Sequence, residues 1–367
     1  MRRCSRLTRG DNSIYPPSAF RKRTKKLPLL LGLALLAILS LPGIASPRNL
    51  DEQFNIHGDN VIPKEAREQA DLLLRLGSQQ ERLRNLDKAI EYWKQALEIY
   101  HRIGDTKSEG LTYDFIGIAY AALRRYDLAE DALRRRLAIA RDNKDILGEI
   151  YGLNNVGTIL IQREAFDEAR KVFEEAYELA RSVNSIEGQG LSLSNLGLVA
   201  AAKKDYNQAI KKYEAALTWR RRVEDPIGEA NTLNNLGDAY RAVDNYNEAI
   251  ANYGIALILA RKNVDFRNHF RAIDGLVAAH TSVGRYFRAA ALLNERLELA
   301  QKIKNPRQEL ISLRSIAQFY KLLEDYPVAE EFYRRAIALA RNLRDFKEET
   351  RLLDELQIVW RAQKTHR

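Results

Sequence analysis

Asparagines recur at 40-residue intervals in the middle of the chain: Asn155, Asn195 and Asn235, each preceded by another small polar residue, Asn154, Ser194 and Asn234. An asparagine side chain offers both a donor and an acceptor, so a row of them can grip a peptide backbone without regard to its sequence. The same side chains can equally cap or hydrogen-bond neighbouring helices. Further along stand Arg241, Arg271 and Arg314, whose guanidinium groups suit an acidic residue or a terminal carboxylate. Asp238 and Asp274 lie among them and can pair with those arginines. With His280 they also form a set of oxygen and imidazole groups of the kind that binds Mn2+ or Ca2+. His280, however, takes the place held 40 residues apart by Tyr120, Tyr240 and Tyr320, which speaks for packing. No two histidines have i, i+4 spacing, and there is no glycine-rich phosphate loop, G-x-S-x-G or H-E-x-x-H. Binding is therefore expected, with no catalytic residue, no metal and no cofactor.

The elements that must position these residues form a repeat. Across 367 residues there are 19 glycines and 9 prolines, and 29% of residues are charged. That composition favours helix. Alanine recurs without a slip at Ala89, Ala129, Ala169, Ala209, Ala249, Ala289 and Ala329. Three residues before each stand Leu86, Tyr126, Phe166, Tyr206, Tyr246, Tyr286 and Tyr326. Twelve before come Gly77, Gly117, Gly157, Gly197 and Gly237, then Val277 and Ala317. Four after each alanine is a bulky residue such as Trp93, Phe173, Tyr213, Tyr253 or Tyr333. Seven after is a mostly small column, broken by Arg136 and Arg296. Small residues at Gly237 and Ala249 let two helices approach, with Tyr253 packed against the next pair. Pro226, Pro306 and Pro327 fall where helices begin, a place that tolerates proline.

The net charge of +10 is unevenly placed. Residues 1–45 hold nine Lys/Arg against Asp11 alone, which leaves the rest near neutrality, with 50 basic and 48 acidic residues. Nucleic acid is therefore not an expected partner. Arg21–Lys26 lead directly into LPLLLGLALLAILSLPGIA, residues 27–45. The unbroken apolar run there is shorter than the roughly 20 residues a membrane-crossing helix needs. Gly43 and Ala45 place small residues before Ser46, as in a secretory signal peptide. The long basic region ahead of the run favours the alternative, an uncleaved signal anchor. Either way the body is expected to be exported, to a periplasm or thylakoid lumen, with membrane contact only through residues 27–45. The only cysteine, Cys4, and the only methionine, Met1, lie in this leader. Residues 46–65 lack periodicity and are expected to be a linker.

The strings LGLVAAAKKDYNQAIKKYEAAL (196–217) and LGDAYRAVDNYNEAIANYGIAL (236–257) resemble the tetratricopeptide repeat (TPR) pattern of L-G-x-x-Y, then alanine, an aromatic and alanine. The ordinary unit is about 34 residues of helix–turn–helix. At 40 residues this chain resembles the long-repeat subfamily of kinesin light chains and of cell-polarity adaptors that bind G-protein regulators. The resemblance covers 66–345 as seven units: 66–105, 106–145, 146–185, 186–225, 226–265, 266–305 and 306–345. It implies an all-α fold: a right-handed α-solenoid of seven TPR helix pairs. Residues 346–367 would add a capping helix, with Leu352, Leu353, Leu356, Val359 and Trp360 as its apolar face.

The resemblance further implies that the first helix of each pair lines a concave surface on which a protein or peptide partner lies extended. Asn155, Asn195 and Asn235 match the subfamily's asparagine ladder in repeats 3 to 5, whereas Phe115, Gly275 and Ser315 depart from it. Asp114, Tyr151, Thr158, Asn231, Asp238, Arg241, Arg271, Asp274, Arg314 and Gln318 would flank the ladder. The function implied is a non-catalytic interaction scaffold or adaptor. The layout of an exported chain made almost wholly of repeats also resembles the processing-associated TPR proteins of cyanobacterial photosystem II biogenesis. That likeness implies the alternative of a metal-linked assembly factor for a membrane complex.

Overall fold

Runs of 17 helix-forming residues, broken every 20 residues by the same kind of turn, set the architecture. A computed structural model describes residues 64–365; the expectations for the leader and for residues 46–63 of the linker lie outside it, while residues 64 and 65, expected in the linker, already belong to the first helix. All elements among the described residues are helices. The first repeats are α1 (Lys64–Arg82) with α2 (Leu86–Ile103), and α3 (Thr106–Ala122) with α4 (Tyr126–Asp142). The central repeats are α5 (Ile146–Gln162) with α6 (Phe166–Ser182), α7 (Ile186–Ala202) with α8 (Tyr206–Arg222), and α9 (Pro226–Ala242) with α10 (Tyr246–Lys262). The last are α11 (Phe266–Ser282) with α12 (Tyr286–Lys302), and α13 (Pro306–Leu322) with α14 (Tyr326–Asn342). α15 (Phe346–Thr365) closes the array. No described helix is long and apolar enough to cross a membrane.

Every turn from Arg84 to Arg344 places one residue in the left-handed region, at φ between 52° and 72°. The backbone then closes in the same way each time, as where the Asp145 N–H donates to the Ala140 carbonyl at 2.8 Å. That bond satisfies one of the carbonyls a helix end leaves orphaned. The next residue caps the following helix. Asp105, Asp145, Ser185, Asp225, Asp265, Asn305 and Asp345 each accept an N–H from the third residue of the helix they precede. These caps set where each first helix begins, so equivalent side chains line up from repeat to repeat.

Each helix packs on the next in sequence, and the first helices of repeats 3 to 6 also touch one another directly. The solenoid therefore curves with its first helices on the inner side. Alanine, glycine and aromatic columns make this spacing possible. Ala89, Ala129, Ala169, Ala209, Ala249, Ala289 and Ala329 are fully buried. A methyl group on Gly157 would lie 2.5 Å from the Phe173 ring, and one on Gly237 would lie 2.7 Å from Tyr253. The glycines thus leave room for the aromatic ring of the second helix to rest on the backbone of the first. Pro226 and Pro306 sit at the first position of α9 and α13, and Pro327 in the first turn of α14.

The closing helix departs from expectation at its edge. Leu352, Leu356 and Val359 are buried, but Leu353 and Trp360 remain 37% and 38% exposed. The equivalent Leu153, Leu193, Leu233 and Leu313 are buried by their repeat's second helix, and α15 has no such neighbour among the described residues.

Candidate functional site

Because capped first helices stand side by side on the inner curve, their N-terminal halves form the wall of a groove. The cavity there has a volume of about 1290 Å3 and runs from α3 to α11. Two columns line it. The second residue of each helix supplies Lys107, Leu147, Glu187, Ile227 and Arg267, and the sixth supplies Leu111, Tyr151, Leu191 and Asn231. Leu147 and Ile227, at equivalent places in alternate repeats, are 54% and 51% exposed. The preceding turns add Asn143, Val264 and Asp265 to the rim.

The floor is polar and tied together. Asp114 accepts from Arg136 Nε at 3.1 Å and from Asn155 Nδ2 at 3.3 Å. Burial pushes the Asp114 carboxyl above its usual range, and Arg136 and Asn155 oppose that shift. A second buried pair, Arg220 with Asp225 at 2.5 Å, sits on the floor two repeats later.

The asparagine row lies in the seam between adjacent first helices. Asn154 donates to the Ile150 carbonyl at 2.8 Å and to Ser192 Oγ at 3.0 Å, and accepts from Asn195 Nδ2 at 2.8 Å. Ser194 and Thr232 hydroxyls meet at 3.2 Å. Asn234 donates to the carbonyl and side-chain oxygens of Asn268, at 3.3 and 3.2 Å. Asn235 accepts from Arg271 at 2.6 Å, while its own amide nitrogen is buried without a partner. Asn154, Asn155, Asn195, Asn234 and Asn235 are all buried, and of these Asn155 reaches the groove lining. Their hydrogen bonds lace α3, α5 and α7 together, and α9 to α11.

The charged residues expected to meet a ligand are engaged within the fold. Arg271 donates to Asn231 at 3.0 Å, to Asn235 and, at 2.7 Å, to Asp238. Asp238 also accepts from the Tyr253 hydroxyl at 2.5 Å, and Arg241 lies beside the same tyrosine. Arg314 pairs with Glu348. Asp274 pairs with Arg296 at 2.6 Å, not with Arg271 or Arg314. His280 is buried, and burial together with Arg285 and Arg288 pushes its imidazole below the usual range. Asp238, Asp274 and His280 therefore do not converge. Among the described residues no three His, Cys, Asp or Glu side chains are placed to hold a metal ion.

The second-residue column carries no shared residue type to mark it in the sequence. A signal was present: the position after a capped first residue is exposed, yet it carries leucine or isoleucine in repeats 3 and 5.

A tetratricopeptide repeat family model matches residues 68–142, 188–262 and 270–342, and a second such model matches 151–187. No curated protein matches the chain. Among solved structures, the apo form of RapI is 16% identical, with a TM-score of 0.55 over 75% of this chain and 99% of that one. Aspartyl phosphate phosphatase F from Bacillus subtilis is 12% identical, with a TM-score of 0.57 over 75% of this chain and 71% of that one. The Rap conjugation gene regulator of plasmid pLS20, in complex with the Phr* peptide, is 21% identical, with a TM-score of 0.51 over 81% and 82%. At these identities the likeness is one of fold. With the family models spanning most of the repeat array, the chain belongs to the tetratricopeptide repeat family.

Proposed function

We propose that this chain is a non-catalytic scaffold that holds an extended segment of a partner protein along the concave face of repeats 2 to 6. The observation that carries the reading is the groove itself. It is a large cavity whose exposed wall includes Leu147 and Ile227, side chains that gain from being covered. A peptide-bound relative of the same fold, the pLS20 regulator, supports it. In this reading Asn155 is part of the floor, Asn195 and Asn235 hold the helices behind it together, and the row from Lys107 to Arg267 meets the partner's side chains. Arg241, Arg271, Asp238, Asp274 and Arg314 stiffen the C-terminal wall through their own pairs. The basic, apolar leader supports placement of the scaffold in an exported compartment. N-terminal sequencing of the secreted chain, with Ser46 as the expected first residue, tests that placement.

Binding in the groove is tested by placing a photo-crosslinking amino acid at Tyr151, inside the cavity, and separately at Lys171, on the exposed side of α6. Adducts from Tyr151 that map to one contiguous stretch of a partner are expected. Adducts from Lys171 alone would overturn the reading.

A further inference from the structure

The groove changes character along the array. The second-residue column reads Lys107, Leu147, Glu187, Ile227 and Arg267, and at the same spacing it continues to Arg307 and Lys347 on α13 and α15. The sixth-residue column is Leu111, Tyr151 and Leu191 before it turns polar at Asn231 and Arg271. Above its polar floor, the wall of the groove thus carries its apolar side chains over repeats 2 to 5, beyond Lys107, and turns cationic from repeat 6 onward. Not every arginine there is available to a ligand, since Arg271 and Arg314 are neutralised by Asp238 and Glu348. Arg307 and Lys347 differ: both are exposed, and neither has an ion pair among the described residues.

We propose that the segment held in this groove is of one chemical kind: a short apolar stretch that covers Leu111, Leu147, Leu191 and Ile227, followed by acidic side chains that reach Arg307 and Lys347. The assignment rests on the groove being the binding site and adds the chemistry of its occupant. Apolar burial supplies affinity in repeats 2 to 5, where a polyphosphate backbone would find leucine, isoleucine and Glu187, with Lys107 alone among the lining cations exposed there. The exposed cations supply orientation and rate of encounter, because charges at an open surface steer association more than they hold it. They also set the polarity of the segment, with its acidic end toward α15.

The test uses the full chain with three fluorescent peptides that share a Leu/Ile-rich half and continue with glutamates, glutamines or lysines. Polarisation should show the glutamate peptide binding about tenfold more tightly than the glutamine peptide at low salt, a modest gain typical of exposed pairs. That advantage should shrink as salt shortens the reach of the charges. Reversing the cations with Arg307→Glu and Lys347→Glu should abolish the glutamate preference and leave the glutamine peptide unchanged. Leu147→Glu with Ile227→Glu should weaken all three peptides. All four positions are exposed, and circular dichroism would show that helix content is retained. Equal affinity for the three peptides, still lost in the Leu147→Glu, Ile227→Glu variant, would overturn the acidic assignment while leaving the groove in place. Binding that ignores Leu147 and Ile227, or no binding of any peptide, would overturn both. A single-stranded oligonucleotide that binds through Arg307 and Lys347 and displaces the glutamate peptide would overturn the assignment to a protein segment.

Discussion

Arg296→Ala would restore the repeat pattern, because the equivalent residues Ala96, Ala176, Ala216, Ala256 and Ala336 are alanines. By pattern alone the change should be neutral or favourable. The structure requires the opposite. Arg296 is 2% exposed and bonds both Asp274 oxygens, at 2.6 and 3.2 Å. It also donates to Ser312 Oγ at 2.7 Å and to the Gln308 carbonyl and side chain, at 3.3 and 3.2 Å. The guanidinium lies 4.9 Å from the centre of the Phe270 ring. One side chain on α12 therefore joins α11 to α13. Breaking a buried pair from one side costs about 3–5 kcal/mol when the remaining charge is stranded. Here the Asp274 side chain keeps 37% exposure and can rehydrate, so the loss belongs at the lower end. The lost hydrogen bonds to Ser312 and Gln308 and the cavity left behind add to that, so the expected destabilisation is about 3–5 kcal/mol. Urea titration followed by far-UV circular dichroism measures the total. Repeat arrays can unfold in parts, so hydrogen exchange should locate the loss in α11–α13. A double-mutant cycle with Asp274→Ala should give a coupling of about 1 kcal/mol or more. A neutral or stabilised Arg296→Ala, or a loss spread evenly over the array, would refute the clamp.

Two further outcomes follow from single positions. The His280 imidazole is pushed down in the fold by burial and by Arg285 and Arg288. As pH falls below the ordinary histidine range, the unfolded chain takes up a proton that the folded one resists, so His280 costs stability on acidification. His280→Tyr, which installs the tyrosine found at the equivalent place in three other repeats, should flatten the fall in Tm between neutral and mildly acidic pH. Val264, β-branched and exposed, holds the left-handed turn position at φ 55° where Gly104 and Gly284 serve in other turns. Val264→Gly should raise stability by about 0.5–1 kcal/mol in urea titration, the strain relieved outweighing the added freedom of the unfolded chain.

Legibility followed physical constraint. The alanine and glycine columns could be read because helix contact leaves no alternative at Ala249 or Gly237, and the structure packs them accordingly. The turns were legible only as spacing. Twelve of the fourteen left-handed residues are not glycine, so composition gave no mark of the conformation at Lys144 or Glu224. The aspartate caps were equally visible in the chain at Asp105, Asp145, Asp225 and Asp265, but a cap is recognised by geometry more readily than by type. At the site, residue type showed that Asn155, Asn195 and Asn235 could bond. Which bonds form depended on the separation between neighbouring first helices, which sequence spacing does not contain. The pairing of Asp238 with one of the arginines was readable and falls to Arg271, whereas Arg241 and Arg314 looked available because Tyr253 and Glu348 come from other helices.

The division between packed and unpacked columns explains how such an array can carry specificity without risking its fold. Within a first helix, buried positions are fixed by the aromatic or alanine they touch, and a change there is felt in stability. The second residue is exposed in each of repeats 2 to 6. It follows a side-chain cap, projects into the groove and varies from lysine to leucine, glutamate, isoleucine and arginine without disturbing the turn before it. The unbroken 20-residue period converts that freedom into a row, because every cap starts its helix in the same place. A single inserted residue in one turn would rotate the next helix by about 100° and remove its side chain from the row. In the proposed binding mode, rigid register is therefore the condition for recognition: buried asparagines and paired arginines hold the helices side by side so that the exposed column between them can meet a partner.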